Sequence, residues 1–193
     1  MSQLLRGQRV WLSALERADA ATIAGWDTDS TFLRLLDAAP AAPRSEDEVA
    51  RWLDSTRRAH DYFAFGVRLT GSDDLIGWLE LDGIQWTHQT CSLGIGIGSW
   101  AYRGQGYGSE ALALALDFAF YELNLHRVAL TVFAYNHAAV GLYEKLGFVR
   151  EGVYREHLHR AGQRYDMLLY GLLRREWAAQ HPPIPPLDWH SRG

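Results

Sequence analysis

The period of the apolar positions changes several times along the chain, and each change marks an element. Arg9 to Leu15 alternates loosely around Val10, Trp11 and Leu12 and predicts a first strand. The alanine-rich run Ala18 to Trp26 predicts a helix opened by Asp19. Pro40 and Pro43 mark a loop. Ser45-Glu46-Asp47-Glu48 then has the form of a capping box, with Val49, Trp52 and Leu53 following at helical spacing. Arg57 and Arg58 fall in the last turn of this helix, where positive charge complements the helix dipole. Three strand-like runs come next, Tyr62 to Leu69, Leu75 to Leu81 and Gln89 to Ile97. The turn Gly71-Ser72-Asp73-Asp74 separates the first two.

From Ser109 to Leu123 the period returns to that of a helix. Leu112, Leu116, Ala119, Phe120 and Leu123 form its stripe, and Ala111, Ala115 and Phe118 widen it enough to predict burial. His126 to Ala134 is a β-branched strand, and Asn136 to Leu146 a short helix ended by Gly147. Phe148 to Leu158 and Tyr165 to Leu173 predict two last strands around Arg160-Ala161-Gly162-Gln163. Strand runs mixed with two strand–helix units imply an α/β (α+β) fold with a mixed central sheet flanked by helices. One domain over residues 1–177 is expected. A proline-rich tail, residues 178–193, should be irregular or extended.

Composition narrows the function classes. The 193 residues are 48% apolar, include eight Trp, and carry a net charge of −4. That is enough for a real core, and it lacks the basic excess of a nucleic-acid binder. Mild acidity is compatible with an amine substrate but equally with an ordinary solvated surface. The single Cys91 excludes an intrachain disulfide and sits in a strand, as a buried structural cysteine would. The first residues lack the plan of a signal peptide, and no apolar stretch is long enough to span a bilayer. A cytoplasmic location with no membrane partner is the expectation. His157 and His159 share a strand face but find no third ligand in the pattern, so no metal is expected.

The strongest local signal is Arg103-Gly104-Gln105-Gly106-Tyr107-Gly108-Ser109, between a strand and a helix. Glycines allow positive φ and close approach of backbone N–H groups, and a helix start adds unpaired donors and partial positive charge. This is a place for a phosphate, with Arg103 as a further donor. It is not a P-loop, since Ser109-Glu110 stands where Lys-Ser/Thr is needed. The glycine spacing also fails the dinucleotide fingerprint. Gly94, Gly96 and Gly98 fall within the preceding strand and predict a bulge or a site of close approach.

Arg103, Gly106 and Gly108 at Arg-x-x-Gly-x-Gly spacing resemble the pyrophosphate-binding motif of the GCN5-related N-acetyltransferases (GNAT). Asn136 to Phe148 resembles that family's second half-site, in the right order along the chain. Glu151-Gly152, Arg155, Gly162 to Asp166 and Leu168 are similar to the branch that acetylates ribosomal proteins and protein N-termini, the RimJ/RimL-like enzymes. The element order matches from about Val10 to Trp177.

The resemblance implies a mostly antiparallel sheet, acetyl-CoA as co-substrate, and direct attack of a neutral amine on the thioester. It places coenzyme A on Leu93, Ile95 and Ile97, on Arg103, Gly104, Gln105, Gly106, Tyr107, Gly108 and Ser109, and on Asn136 and Tyr143. Tyr143 is the implied acid for the leaving thiolate, since tyrosine stays protonated at neutral pH. Asn136 is also a natural helix N-cap. Relatives carry a glutamate base on a central strand. Trp78, Glu80 and Asp82 share one strand face, which makes Glu80 the candidate. Trp26, Phe32, Trp52, Trp78 and Trp86 are candidates to shape an acceptor pocket, or simply to fill the core. The acceptor is then a protein N-terminal or small-molecule amine, and a homodimer is common among such proteins. A non-catalytic acyl-CoA sensor on the same fold is the alternative reading.

Overall fold

Seven strands pair in one sheet in the computed structural model, which describes residues 4–57 and 59–182. They are β1 (Val10–Ala14), β2 (Phe63–Leu69), β3 (Leu75–Gln85), β4 (Thr90–Ile97), β5 (Arg127–Phe133), β6 (Val149–Arg160) and β7 (Gln163–Leu173). The order across the sheet is β1-β2-β3-β4-β5-β7-β6, and β4 with β5 is the parallel pair among antiparallel neighbours. The helices are α1 (Ala20–Trp26), α2 (Ser30–Leu36), α3 (Glu46–Thr56), α4 (Tyr107–Asp117), α5 (His137–Lys145) and α6 (Arg174–Gln180). This is the mixed α/β architecture that the order of periods predicts, with the mostly antiparallel sheet that the family resemblance implies.

Alternation along the strands divides the apolar side chains between two layers. Leu79 and Leu81 of β3 join the larger core with Leu112 and Leu116 of α4, Tyr143 of α5 and Trp177 of α6. Trp78, one residue out of phase, joins Ile23 of α1 and Val49 and Leu53 of α3 on the opposite face. Cys91 lies in the larger core, and burial pushes its thiol up to about 12, as suits an inert structural cysteine.

The capping box of α3 is formed as expected. Ser45 Oγ accepts from Glu48 N at 3.3 Å, and Glu48 Oε2 accepts from Ser45 N at 2.7 Å. Arg57 occupies the C-cap; Arg58 lies outside the described residues. Gly147 takes φ +91° after α5, the left-handed conformation that stops the helix.

Four expectations need correction. Asp19 stands at the N-cap position of α1 but its side chain does not cap the helix; it closes a 3₁₀ turn over Arg17–Asp19, its carboxylate accepting from Glu16 N at 2.8 Å and from Arg68 Nη2 at 2.7 Å. The main helix starts earlier, at Tyr107, and beyond Asp117 gives way to a π-turn over Phe118–Glu122. Two helices escaped the reading. One is α2, seven residues capped by Asp29, whose Oδ1 accepts from Thr31 N at 2.9 Å. The other is α6, which carries regular structure to Gln180, past the expected start of the tail. Trp177 explains it: the indole is buried, and its Nε1 donates to Asp117 Oδ1 at 2.8 Å, so tertiary contact holds a helix too short to persist alone. Pro183, Pro185 and Pro186 lie outside the described residues.

The predicted bulge at Gly94–Gly96 is also absent. Gly77 to Asp82 pair with Ile97 to Ser92 without a shift, and the irregularity falls later, between Asp82 and Gln85. The close approach is real, however. A Cβ on Gly94 would lie 3.1 Å from Glu80 Oε1, and one on Gly96 would lie 3.1–3.3 Å from Leu36 and Phe32. The glycines make room above the strand; they do not bend it.

Candidate active site

The opening in the sheet comes from where strand pairing stops. β4 and β5 pair at Thr90, Cys91 and Ser92 against Arg127, Val128 and Ala129, and there the ladder ends. Gly98 N donates to Ile76 O at 2.9 Å, which fixes the phase of the β3–β4 ladder. In an antiparallel pair, alternate residues turn their N–H and C=O to the neighbouring strand. Gly96 and Gly94 therefore face β3, and Leu93, Ile95 and Ile97 face the fork. Leu93 stands at the end of the pairing. The main chain of Ile95 has no strand opposite it, and Ile97 O accepts from Arg103 Nε at 2.8 Å.

A cavity of ≈ 920 Å³ runs through this fork. At one end lie the glycine loop and the first turn of α4. Gly104 and Gly106 hold φ +72° and +86°, so both glycines are required by conformation. Gly106 is the N-cap of α4, and no side chain caps that helix. The N–H groups of Tyr107, Gly108 and Ser109 thus have no intrahelical acceptor, which makes this end a fit for a pyrophosphate. The loop is braced from outside. Arg9 Nη1 donates to Gln105 O at 2.9 Å, while Arg9 N and Nε donate to the two oxygens of Glu110 at 2.9 and 3.0 Å. Burial raises the Glu110 carboxyl, but the hydrogen bonds from Arg9 outweigh it and leave the group below its ordinary range.

Arg103 is placed differently from a free phosphate ligand. Its Nε and Nη2 donate to Ile97 O and Gly98 O at 2.8 and 2.9 Å, and its guanidinium lies over Trp100 at 4.1 Å and Phe32 at 5.1 Å. It ties the loop to the end of β4, although it also borders the cavity. Gly104, Gly106, Gly108 and Ser109 line the cavity as well. Gln105 and Tyr107 are not among its lining residues; Tyr107 packs edge-on against Tyr102 under the Arg9 guanidinium.

The middle of the cavity is bordered by β4 and α5. Asn136 caps α5, its Oδ1 accepting from Ala139 N at 3.2 Å, and its Nδ2 donates to Leu35 O of α2 at 3.4 Å. Tyr143 is buried against Phe148. Burial alone pushes its hydroxyl up to about 12.

Glu80 stands in the same cavity, on the face of β3 shared with Trp78. Tyr62, just before β2, donates a short hydrogen bond from its hydroxyl to Glu80 Oε2. Burial raises the Glu80 carboxyl; the Tyr62 bond opposes this, Asp82 and Asp37 add to it, and Arg44 draws it down, with a raised carboxyl as the net result. Nothing in the local sequence singles out Tyr62 or Arg44. They reach the site only because the β2–β3 pairing and the loop before α3 carry them there. Among the aromatic candidates, Phe32, Trp52 and Trp78 line the cavity. Trp26 instead fills the space beside Gly98, where a Cβ would lie 1.9 Å from the ring, and Trp86 is exposed.

A forked parallel pair, an uncapped helix start beneath a glycine loop, and a second half-site on α5 are the parts of one known arrangement. The family profile "Acetyltransferase (GNAT) domain" matches residues 9–149. The chain belongs to the GNAT acetyltransferases. It is an acyl-CoA-dependent N-acyltransferase, with acetyl-CoA as its co-substrate.

Relatives support the assignment over nearly the whole length. The SPbeta prophage-derived uncharacterized N-acetyltransferase YokL of Bacillus subtilis is 27% identical over 175 residues, covering 91% of this chain and 96% of that protein. A putative ribosomal N-acetyltransferase, YdaF, from the same organism is 38% identical over 63 residues, 33% of this chain and 34% of that protein. The crystal structure of a spermidine N-acetyltransferase from Vibrio cholerae, in complex with CoA and spermine, superposes with a TM-score of 0.80 at 28% identity, covering 87% and 97% of the two chains. Among the described residues no cluster of three or more His, Cys, Asp or Glu side chains is placed to hold a metal, and no helix is long and apolar enough to cross a membrane.

Proposed function

We propose that this GNAT acetyltransferase transfers the acetyl group to a primary amine, either a protein N-terminal α-amine or a small-molecule amine, by direct attack with Glu80 as base and Tyr143 as donor to the leaving sulfur. The observation that carries this reading is that both side chains border one cavity, with the unpaired edge of β4 between them. The glycine loop and the start of α4 would hold the pyrophosphate of coenzyme A, and the main chain of Leu93, Ile95 and Ile97, with Asn136, its pantetheine arm. The partial match to a putative ribosomal N-acetyltransferase supports the RimJ/RimL-like branch, and the likeness to a spermidine N-acetyltransferase supports small amines.

The chemistry assigns each group a share. An incoming ammonium must lose a proton before nitrogen can attack. A carboxylate raised by burial is a better base than a solvated one, because its basicity is closer to the working pH. The N–C bond then forms as the carbonyl gains negative charge. A backbone N–H aimed at that oxygen stabilises it by about 3–4 kcal/mol, and Ile95 N–H on the open edge of β4 is the donor we assign. The C–S bond breaks last: its electron pair leaves with sulfur, which takes the Tyr143 proton, and Tyr143 recovers a proton from the nitrogen as the neutral amide forms. Burial pushes the Tyr143 hydroxyl up to about 12, so it stays protonated until the thiolate forms beside it.

The test is coenzyme A release monitored by thiol reagent with a panel of amines, for the wild type, Glu80→Gln and Tyr143→Phe. Turnover that falls about a hundredfold or more in each variant, with acetyl-CoA binding retained, supports the roles. Turnover within twofold of wild type in either variant removes that residue from the mechanism.

A further inference from the structure

The acceptor end of the cavity holds a positive group as well as a negative one. Arg44 lies in the loop just before α3 and borders the same cavity as Glu80. Its Nε donates to Asp27 Oδ2 at 2.6 Å. Asp27 is 1% exposed, whereas a third of the Arg44 side chain is open, with a relative accessibility of 33%. The contact is single. Asp27 Oδ1 is buried with no partner among the described residues, so Nη1 and Nη2 of Arg44 do not complete the two-point pairing that arginine favours with carboxylates. The guanidinium is held from two sides, by Asp27 at its inner edge and by the Trp52 ring at 5.4 Å. Trp52 packs in turn on Trp78 at 5.3 Å. The outer edge, with both terminal amino groups, makes no hydrogen bond to any described residue.

An arginine serving only to offset the charge of Glu80 needs no such mounting. A buried carboxylate spent on orienting an arginine, which leaves its planar fork free inside a substrate cavity, is the arrangement that recognises an oxyanion. Its charge reaches Glu80, since Arg44 is one of the groups that draw that carboxyl down; Tyr62, Asp82 and Asp37 are the others facing it. The cavity thus offers the carboxylates of Glu80 and Asp37 to an amine and the Arg44 guanidinium to an anion close by. A polyamine matches the carboxylates but leaves the guanidinium without an anion. A protein N-terminus continues as a neutral peptide bond and also matches only the carboxylates.

We propose that the acceptor carries its own carboxylate, as a free amino acid does, and that the outer edge of Arg44 binds it. The proposal rests on the acetyltransferase reading above. The apolar lining from Phe32, Leu36, Trp52 and Trp78 directs the choice of side chain towards apolar amino acids.

The experiment measures coenzyme A release for leucine, leucinamide and isoamylamine, for phenylalanine, its amide and phenethylamine, and for spermidine. It is run on the wild type, on Arg44→Lys, and on the double variant Asp27→Asn/Arg44→Gln, which removes both charges together and so leaves no buried carboxylate unpaired. The expected result is a kcat/KM for the free acid at least about tenfold above its amide in wild type, with the ratio falling about tenfold or more in both variants, through KM. A wild-type ratio near one overturns the proposal, as does a ratio that survives both variants, or turnover of amides or spermidine alone. Absence of release with every one of these amines, while acetyl-CoA still raises the melting temperature, overturns it too and leaves a coenzyme A-binding protein. No acetyl-CoA shift at all would defeat the underlying acetyltransferase reading, and this proposal with it.

Discussion

The Tyr62 hydroxyl donates to Glu80 Oε2 across two adjacent strands, directly above a glycine, Gly94, whose missing side chain leaves room for the carboxylate. The carboxylate is thereby held in place within a site that raises its pKa by burial. Removing the donor takes away an interaction that favours the charged form, so the carboxyl rises further. Tyr62→Phe is expected to move the acidic limb of the kcat/KM profile to higher pH, with activity well above that limb less affected. An unmoved limb would mean that Tyr62 only packs, or that another group titrates there.

Tyr143→Phe keeps the ring packed on Phe148 and removes only the hydroxyl. Stability should change little, since Tyr143 borders the cavity and its hydroxyl has no hydrogen bond to another described residue to lose. Turnover should fall about a hundredfold. Rapid-quench measurement of a single turnover locates the loss in the chemical step; a loss confined to product release would remove the donor role.

Gly106→Ala tests the phosphate loop. At φ +86°, an alanine costs on the order of 1–2 kcal/mol in backbone strain, and its Cβ would lie 3.0 Å from Arg9 Nη2. Both effects disturb the uncapped start of α4. The variant should melt a few degrees lower and lose most of its stabilisation by acetyl-CoA. For the wild type, ligand at about 100 times its Kd adds about 2.7 kcal/mol, a rise of roughly 5–10 °C. Differential scanning fluorimetry with and without ligand reads both.

The pair Asp19–Arg68 offers a test of the fold away from the site. The side chains are 10% and 16% exposed, 2.7 Å apart, and Arg68 Nε also donates to Ser13 Oγ at 2.9 Å. Asp19→Ala leaves a mostly buried guanidinium with one charge partner fewer and strips Glu16 N of its acceptor. A loss of about 3 kcal/mol is expected. Urea unfolding measures it directly, and a change under 1 kcal/mol would show that the pair is compensated by solvent.

How much of the site can be read from the chain depends on how local each signal is. Ser45 and Glu48 are three residues apart and form their capping box with no help from elsewhere. Gly104, Gly106 and the helix behind them are likewise local, because positive φ and unpaired N–H groups belong to the segment itself. Alternation alone puts Glu80 with Trp78 and against Leu79, and the structure keeps that division. Short α2 and α6 carry too few turns to announce themselves, and tertiary contacts through Asp29 and Trp177 hold them.

The sequence by itself thus determined the fold class, the family and the glycine loop with its helix start, since those rest on periodicity and on motifs whose residues act together within a few positions. Only the tertiary structure decided the other half. It opened the sheet by ending the β4–β5 ladder after Ser92, where glycine spacing had pointed to a bulge. It turned Arg103 inward to brace the loop. It brought Tyr62 to Glu80 and mounted Arg44 on Asp27, pairs 18 and 17 residues apart. Such contacts follow from strand register and loop path, which are fixed by the packing of the whole core and leave no local pattern in the chain.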